Sequence, residues 1–188
     1  TTMSNLHCVF SLILQGVSFA LLVCLSGTLH AQTIYALAGN NLVSFNAAAP
    51  STMLDNQPVS GIAAGQNIAG MDFRPNTGEL YAMGYNALSG EARLYTLNLT
   101  TAAATPIGAA PVFLKSGISK IGFDFNPTVD RIRVTGSDNS NYRLHPVTGA
   151  IAATDMNLAF AAADANAGTD PSVGAVAYTN SYIGATAT

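Results

Sequence analysis

Two aspartates, Asp72 and Asp124, stand 52 residues apart inside two copies of one pattern: Asp-Phe-x-Pro, a polar turn, an alternating run and a glycine. The first copy reads MDFRPNTGELYAMG from Met71 to Gly84, and the second reads FDFNPTVDRIRVTG from Phe123 to Gly136. Carboxylates repeated in this way could face a common channel at one level and hold a divalent metal that activates water. They could instead accept hydrogen bonds from their own following turns, as aspartate does in Asx-turns. The turn reading is preferred, because Val176 occupies the corresponding position in a third copy of the strand. Gly70 and Gly122 precede the aspartates by two and share their face, where only a small residue lets a neighbouring strand approach.

A second group of oxygens lies in DANAGTD, where Asp164, Asn166, Gly168 and Asp170 alternate as ligands do in calcium loops. Calcium is the one cofactor such a run would hold. An EF-hand loop that began at Asp164 would carry glutamate at its twelfth position, and Ala175 stands there instead. A polar loop closed by Asp170-Pro171 is therefore the simpler reading.

Other chemistry is sparse. His145 is the one histidine between Gln32 and Thr188, and it fills the slot that Asn46 and Asn98 fill in the other repeats, which points to strand-end turn chemistry rather than catalysis. Arg131 and Arg133 share a strand face with Arg143 close by, a pattern that reads as a solvated outer face. A Gly-x-Ser-x-Gly elbow, a His/Cys cluster and a phosphate-cradling glycine loop are all missing, so the common nucleophile, zinc and nucleotide readings fall away. No catalytic residue is assigned.

The elements that position these residues repeat as well. LYTLNLTTAAAT from Leu94 and NYRLHPVTGAIAAT from Asn141 follow the two aspartate copies, and LVSFNAAAP from Leu42 fits the same frame. Their anchors Phe45, Leu97 and Leu144 are spaced by 52 and then 47 residues, a period of propeller blades, solenoids or arrays. Ile132 and Val134 alternate with Arg131 and Arg133, while Gly, Pro, Asn and Thr crowd the gaps, so the runs are strands. Each unit is predicted to contain an inner strand (68–73, 121–125), a second (79–83, 130–135), a third (93–98, 142–145) and a short outer one. The fold class is all-β: a propeller-like array of about three four-stranded antiparallel blades, a partial propeller expected to continue beyond residue 188.

Composition sets the outer bounds. The chain has 188 residues, 49% apolar and 9% charged, with a net charge of −3, so a core can form and there is no basic surface for nucleic acid or an anionic membrane. Both cysteines, Cys8 and Cys24, lie in or beside an apolar run from Val9 to Leu25, and Leu29-His30-Ala31 supplies a small-residue cleavage site. Residues 1–31 therefore read as a signal peptide and 32–188 as the β domain, although no Lys or Arg precedes the apolar run and Thr1-Thr2 precede Met3. The expected location is secreted, periplasmic or cell-surface, with no membrane contact beyond the signal peptide.

The stretches IAGMDFRPNTGELYAMG, ARLYTLNLTTAAATPIG and IGFDFNPTVDRIRVTGSDNSNYRLHPVTGAI resemble the bacterial secreted family called domain of unknown function 4394. The resemblance runs over nearly all of Thr33 to Asn180, and it implies an exported bacterial protein without carrying over any catalytic residue. The leading expectation is a binding or scaffold module for a protein or polysaccharide ligand, not an enzyme. The alternative is a metal-dependent propeller hydrolase or lactonase that uses channel carboxylates.

Overall fold

A computed structural model describes residues 32–188, so the expected signal peptide and both cysteines lie outside the described residues. Among the described residues the chain forms twelve strands and no helix. Strands β1 (Thr33–Ala38), β2 (Asn41–Asn46) and β3 (Ala49–Pro58) form the first sheet, in that order. The second contains β4 (Asn67–Phe73), β5 (Leu80–Tyr85), β6 (Glu91–Leu97), β7 (Ala104–Pro106) and β8 (Val112–Phe113). The third runs β12-β11-β10-β9, from β9 (Ile121–Asn126) through β10 (Arg131–Gly136) and β11 (Asn141–Leu144) to β12 (Ile151–Thr154). All strand pairs within the sheets are antiparallel.

The predicted inner, second and third strands of both aspartate repeats appear, with ends shifted by a residue or two. The expectation of four strands per sheet holds only for the third, since the sheets contain three, five and four strands. The five have a local cause. β7 and β8 both pair with the same edge of β6, β7 along Tyr95–Leu97 and β8 along Glu91–Ala92. Pro106 ends the first and Pro111 precedes the second, and a proline has no N–H to give to the ladder. One strand position is thus divided into two short strands.

The sheets stack face against face, and β5 shows how. Every residue of β5 is buried, which requires cover on both sides. Leu80 and Ala82 pack with Leu42, Tyr35 and Phe73 toward the first sheet, whereas Tyr81, Met83 and Tyr85 pack with Phe123, Phe125, Ile132 and Val134 of the third. The alternation of a strand thereby feeds two cores from one segment. Aromatic edges close the second junction: the Tyr81 and Phe125 rings meet at 5.1 Å and 87°. Phe125, Ile132, Val134 and Leu144 are completely buried.

Candidate functional site

The repeated aspartates lie on the edge strands of neighbouring sheets, Asp72 on β4 and Asp124 on β9. Asp72 Oδ1 accepts the N–H of Phe73 at 2.7 Å, and its Oδ2 accepts the N–H of Phe125 at 2.8 Å. Asp124 repeats the second contact one step further along, its Oδ2 accepting the N–H of Tyr178 at 2.6 Å. An edge strand leaves every other N–H without a ladder partner, and a buried donor of that kind must be satisfied somehow. Each aspartate supplies the acceptor for the next segment, which makes these carboxylates steps between sheets more than caps of their own turns.

The glycines complete the junction. A Cβ at Gly70 would stand 2.5 Å from Cβ of Phe123, and one at Gly122 would stand 2.8 Å from the backbone nitrogen of Val176. Both positions therefore admit backbone where any side chain would collide. Tyr178 follows Ala177, so the donor pattern puts Ala177, not Val176, in the slot that Asp72 and Asp124 hold in the other copies. No third carboxylate joins the row there.

Burial raises the Asp72 carboxyl above the ordinary aspartate range, against the pull of the Phe125 and Phe73 N–H groups. Asp124 is pushed up to about 7, first by burial and also by the charge of Asp72, against the pull of the Tyr178 N–H. Three of the four oxygens in this pair accept backbone N–H groups. A metal held here would have to take those oxygens from the strand edges.

The calcium candidates are arranged for local turns. Asp164 Oδ1 accepts the N–H of Asn166 at 2.8 Å and the Asn166 side-chain amide at 3.2 Å, and Asp170 Oδ1 accepts the N–H of Ser172 at 2.8 Å. Among the described residues no group of three or more His, Cys, Asp or Glu side chains is placed to hold a metal ion. His145 Nδ1 accepts the N–H groups of Val147 and Thr148, as Asn98 Oδ1 accepts those of Thr100 and Thr101. The slot assigned to it is a turn slot.

Arg133 departs from the reading of a solvated face. Arg133 donates to Asp155, Asn141 and the Tyr178 hydroxyl, and Arg143 grips the same Asp155 with two bonds at 2.9 and 2.8 Å. One carboxylate serves both guanidinium groups, with the Arg133 side chain 21% exposed and that of Arg143 still 44% exposed. Arg133 thereby ties β10 to the segment that Asp124 also holds.

Two further sets of residues escaped the sequence reading. Arg74 forms a two-armed pair with Asp130 across the second and third sheets, and Asp130 takes φ +49° where the first copy of the repeat has Gly78 at +71°. The aligned Gly-to-Asp exchange was the available signal. Tyr95 and Tyr142, matched in the repeat, each accept a loop N–H on their hydroxyl, from Ala63 at 3.1 Å and Lys115 at 3.2 Å. These loops lead into β4 and β9.

No curated protein matches the chain. The family model described as a domain of unknown function, DUF4394, matches residues 41–188, which takes in β2 to β12 and both steps of the carboxylate row. The chain belongs to the DUF4394 family.

Proposed function

We propose that the chain is an exported bacterial module of propeller-like build that binds or scaffolds a partner and performs no catalysis, with β1–β3, β4–β8 and β9–β12 as successive blades. The observation that carries this reading is the commitment of three of the four Asp72 and Asp124 oxygens to backbone donors. Carboxylates in that state are structural acceptors, and the described residues offer no other cluster for metal-assisted hydrolysis. Stacked repeats of this kind characteristically serve as rigid platforms, and the fold by itself assigns no reaction.

A partner would be met at the open cleft of about 340 Å³ where β4 and β9 begin, lined by Asn67, Ser119 and Lys120 beside the aliphatic Ile68, Ile118 and Ile121. Its mixed amide, hydroxyl and ammonium groups suit a surface polysaccharide or a polar protein loop. The test is retention of the purified domain on isolated cell-envelope polysaccharide and on envelope protein, compared with Asn67→Ala and Lys120→Ala. Retention that these variants lose without a change in melting temperature supports the reading. Metal-stimulated turnover of ester or lactone substrates that Asp72→Asn abolishes would overturn it.

A further inference from the structure

β1 stands in its sheet where β5 and β10 stand in theirs. Ile34-Tyr35-Ala36-Leu37 matches Leu80-Tyr81-Ala82-Met83, and the cross-strand anchors agree: Ile34 faces Phe45, Leu80 faces Leu97 and Ile132 faces Leu144. On its other side β5 pairs with β4 and β10 with β9, which sets Phe73 opposite Leu80 and Phe125 opposite Ile132. Among the described residues β1 has no strand on that side. Leu80 and Ile132 are 2% and 0% exposed, whereas Ile34 is 38% exposed.

The edge is also unguarded. Natural sheets protect an open edge with charge, proline or a bulge. β3 has Pro50, Asp55 and Pro58 with two breaks in register, β7 ends in Pro106, and β12 is only four residues long, beside a break in register. β1, TIYALA, has none of these and pairs with β2 without a break. Because the Ala47 N–H donates to the Gln32 carbonyl, the hairpin bonds pass through Ile34 and Ala36, and the N–H groups of Tyr35 and Leu37 point to the open side.

A strand that fits this edge lies further along the chain. Residues 173–178, VGAVAY, stand on β9 as β9 stands on β4: the Tyr178 N–H goes to Asp124 as the Phe125 N–H goes to Asp72, and the Tyr178 hydroxyl accepts Arg133. Among the described residues the segment makes no backbone-to-backbone bond of its own. We propose that β1 is an assembly edge, and that residues 173–178 of a second copy of the chain pair with it antiparallel, setting Tyr178 opposite Ile34 and Ala177 opposite Tyr35. A single chain does not serve, since its three sheets are fewer than the roughly four to eight that close a propeller, whereas two copies joined at both edges bring six. The inference rests on the blade reading but on no ligand, so a failure to retain polysaccharide or envelope protein leaves it standing.

The experiment is the mass of the purified protein in solution, by light scattering over a concentration series, for the wild type, Ile34→Lys and Ala177→Pro. Lysine puts a charge where the incoming tyrosine must pack. Neighbouring N–H groups of a strand point to opposite sides, so proline at 177 removes the donor aimed at β1 and leaves the Tyr178 N–H on Asp124. The wild type should have twice the mass of the chain, and each variant alone should be a folded monomer. Mixing the two variants should recover a dimer through the one junction left intact, with β1 from Ala177→Pro and residues 173–178 from Ile34→Lys. Should Ala177→Pro not fold, an excess of the synthetic peptide SVGAVAYT should convert the wild-type dimer to monomer. A wild type that is monomeric at every concentration, a dimer that both variants leave intact, or a mixture that stays monomeric would overturn the proposal.

Discussion

Arg74 and Asp130 lie 56 residues apart on neighbouring sheets and form a two-armed ion pair, with Nε to Oδ1 at 2.9 Å and Nη2 to Oδ2 at 2.6 Å. The pair is only partly exposed, and its aspartate adopts a left-handed backbone conformation that costs about 1–2 kcal/mol for a residue with a Cβ. Two opposing effects therefore meet at one position. Asp130→Gly should relieve the strain but lose the pair, whereas Arg74→Ala loses the pair and keeps the strain. Arg74→Ala is expected to destabilise by about 1–3 kcal/mol and Asp130→Gly by less, as measured by denaturant unfolding. An Asp130→Gly protein that unfolds more readily than Arg74→Ala would show that the strain is negligible here.

The two tyrosine hydroxyls make a paired prediction. Tyr95→Phe orphans the Ala63 N–H and the Gln66 side-chain oxygen, while Tyr142→Phe orphans the Lys115 N–H alone. Each should cost about 1 kcal/mol, with Tyr95→Phe the larger because its hydroxyl sits in a buried relay through Gln66 to Glu91. Thermal unfolding of the two variants checks the order.

Gly70 and Gly122 should tolerate no methyl group. Gly70→Ala drives a Cβ into the Phe123 side chain, and Gly122→Ala drives one into the backbone at Val176. The Phe123 Cβ at 2.5 Å and the Val176 nitrogen at 2.8 Å are both fixed to the backbone and cannot step aside, so each substitution is expected to cost about 1–3 kcal/mol in chemical denaturation.

The strands of the two aspartate repeats were legible because alternation and turn residues act locally: Ile132 and Val134 declare a buried face whatever lies beyond it. The sheet sizes were not legible. Whether β7 and β8 count as one strand or two depends on the break between Pro106 and Pro111 falling along one edge of β6, which side-chain alternation does not record. Within the site, repetition marked Asp72, Asp124, Gly70 and Gly122, yet the acceptor role spans 53 residues from Asp72 to Phe125 and no local pattern encodes it. Arg133 looked like a surface charge for the same reason, since Asp155 and Tyr178 reach it from other segments.

The most direct test of the central claim, that the repeated carboxylates hold sheet edges together and do not bind a catalytic metal, is a set of thermal melts of wild-type, Asp72→Asn and Asp124→Asn protein with calcium, manganese or zinc and with a chelator. Asparagine keeps an acceptor oxygen for the strand edge but is a poor ligand for a hard cation. The account predicts that all three proteins melt at temperatures unaffected by metal or chelator, with the variants close to the wild type at mildly acidic pH. A wild-type melting temperature that rises with one of these metals, falls with chelator and loses that response in either variant would contradict it, because a ligand that binds only the native state must raise its stability.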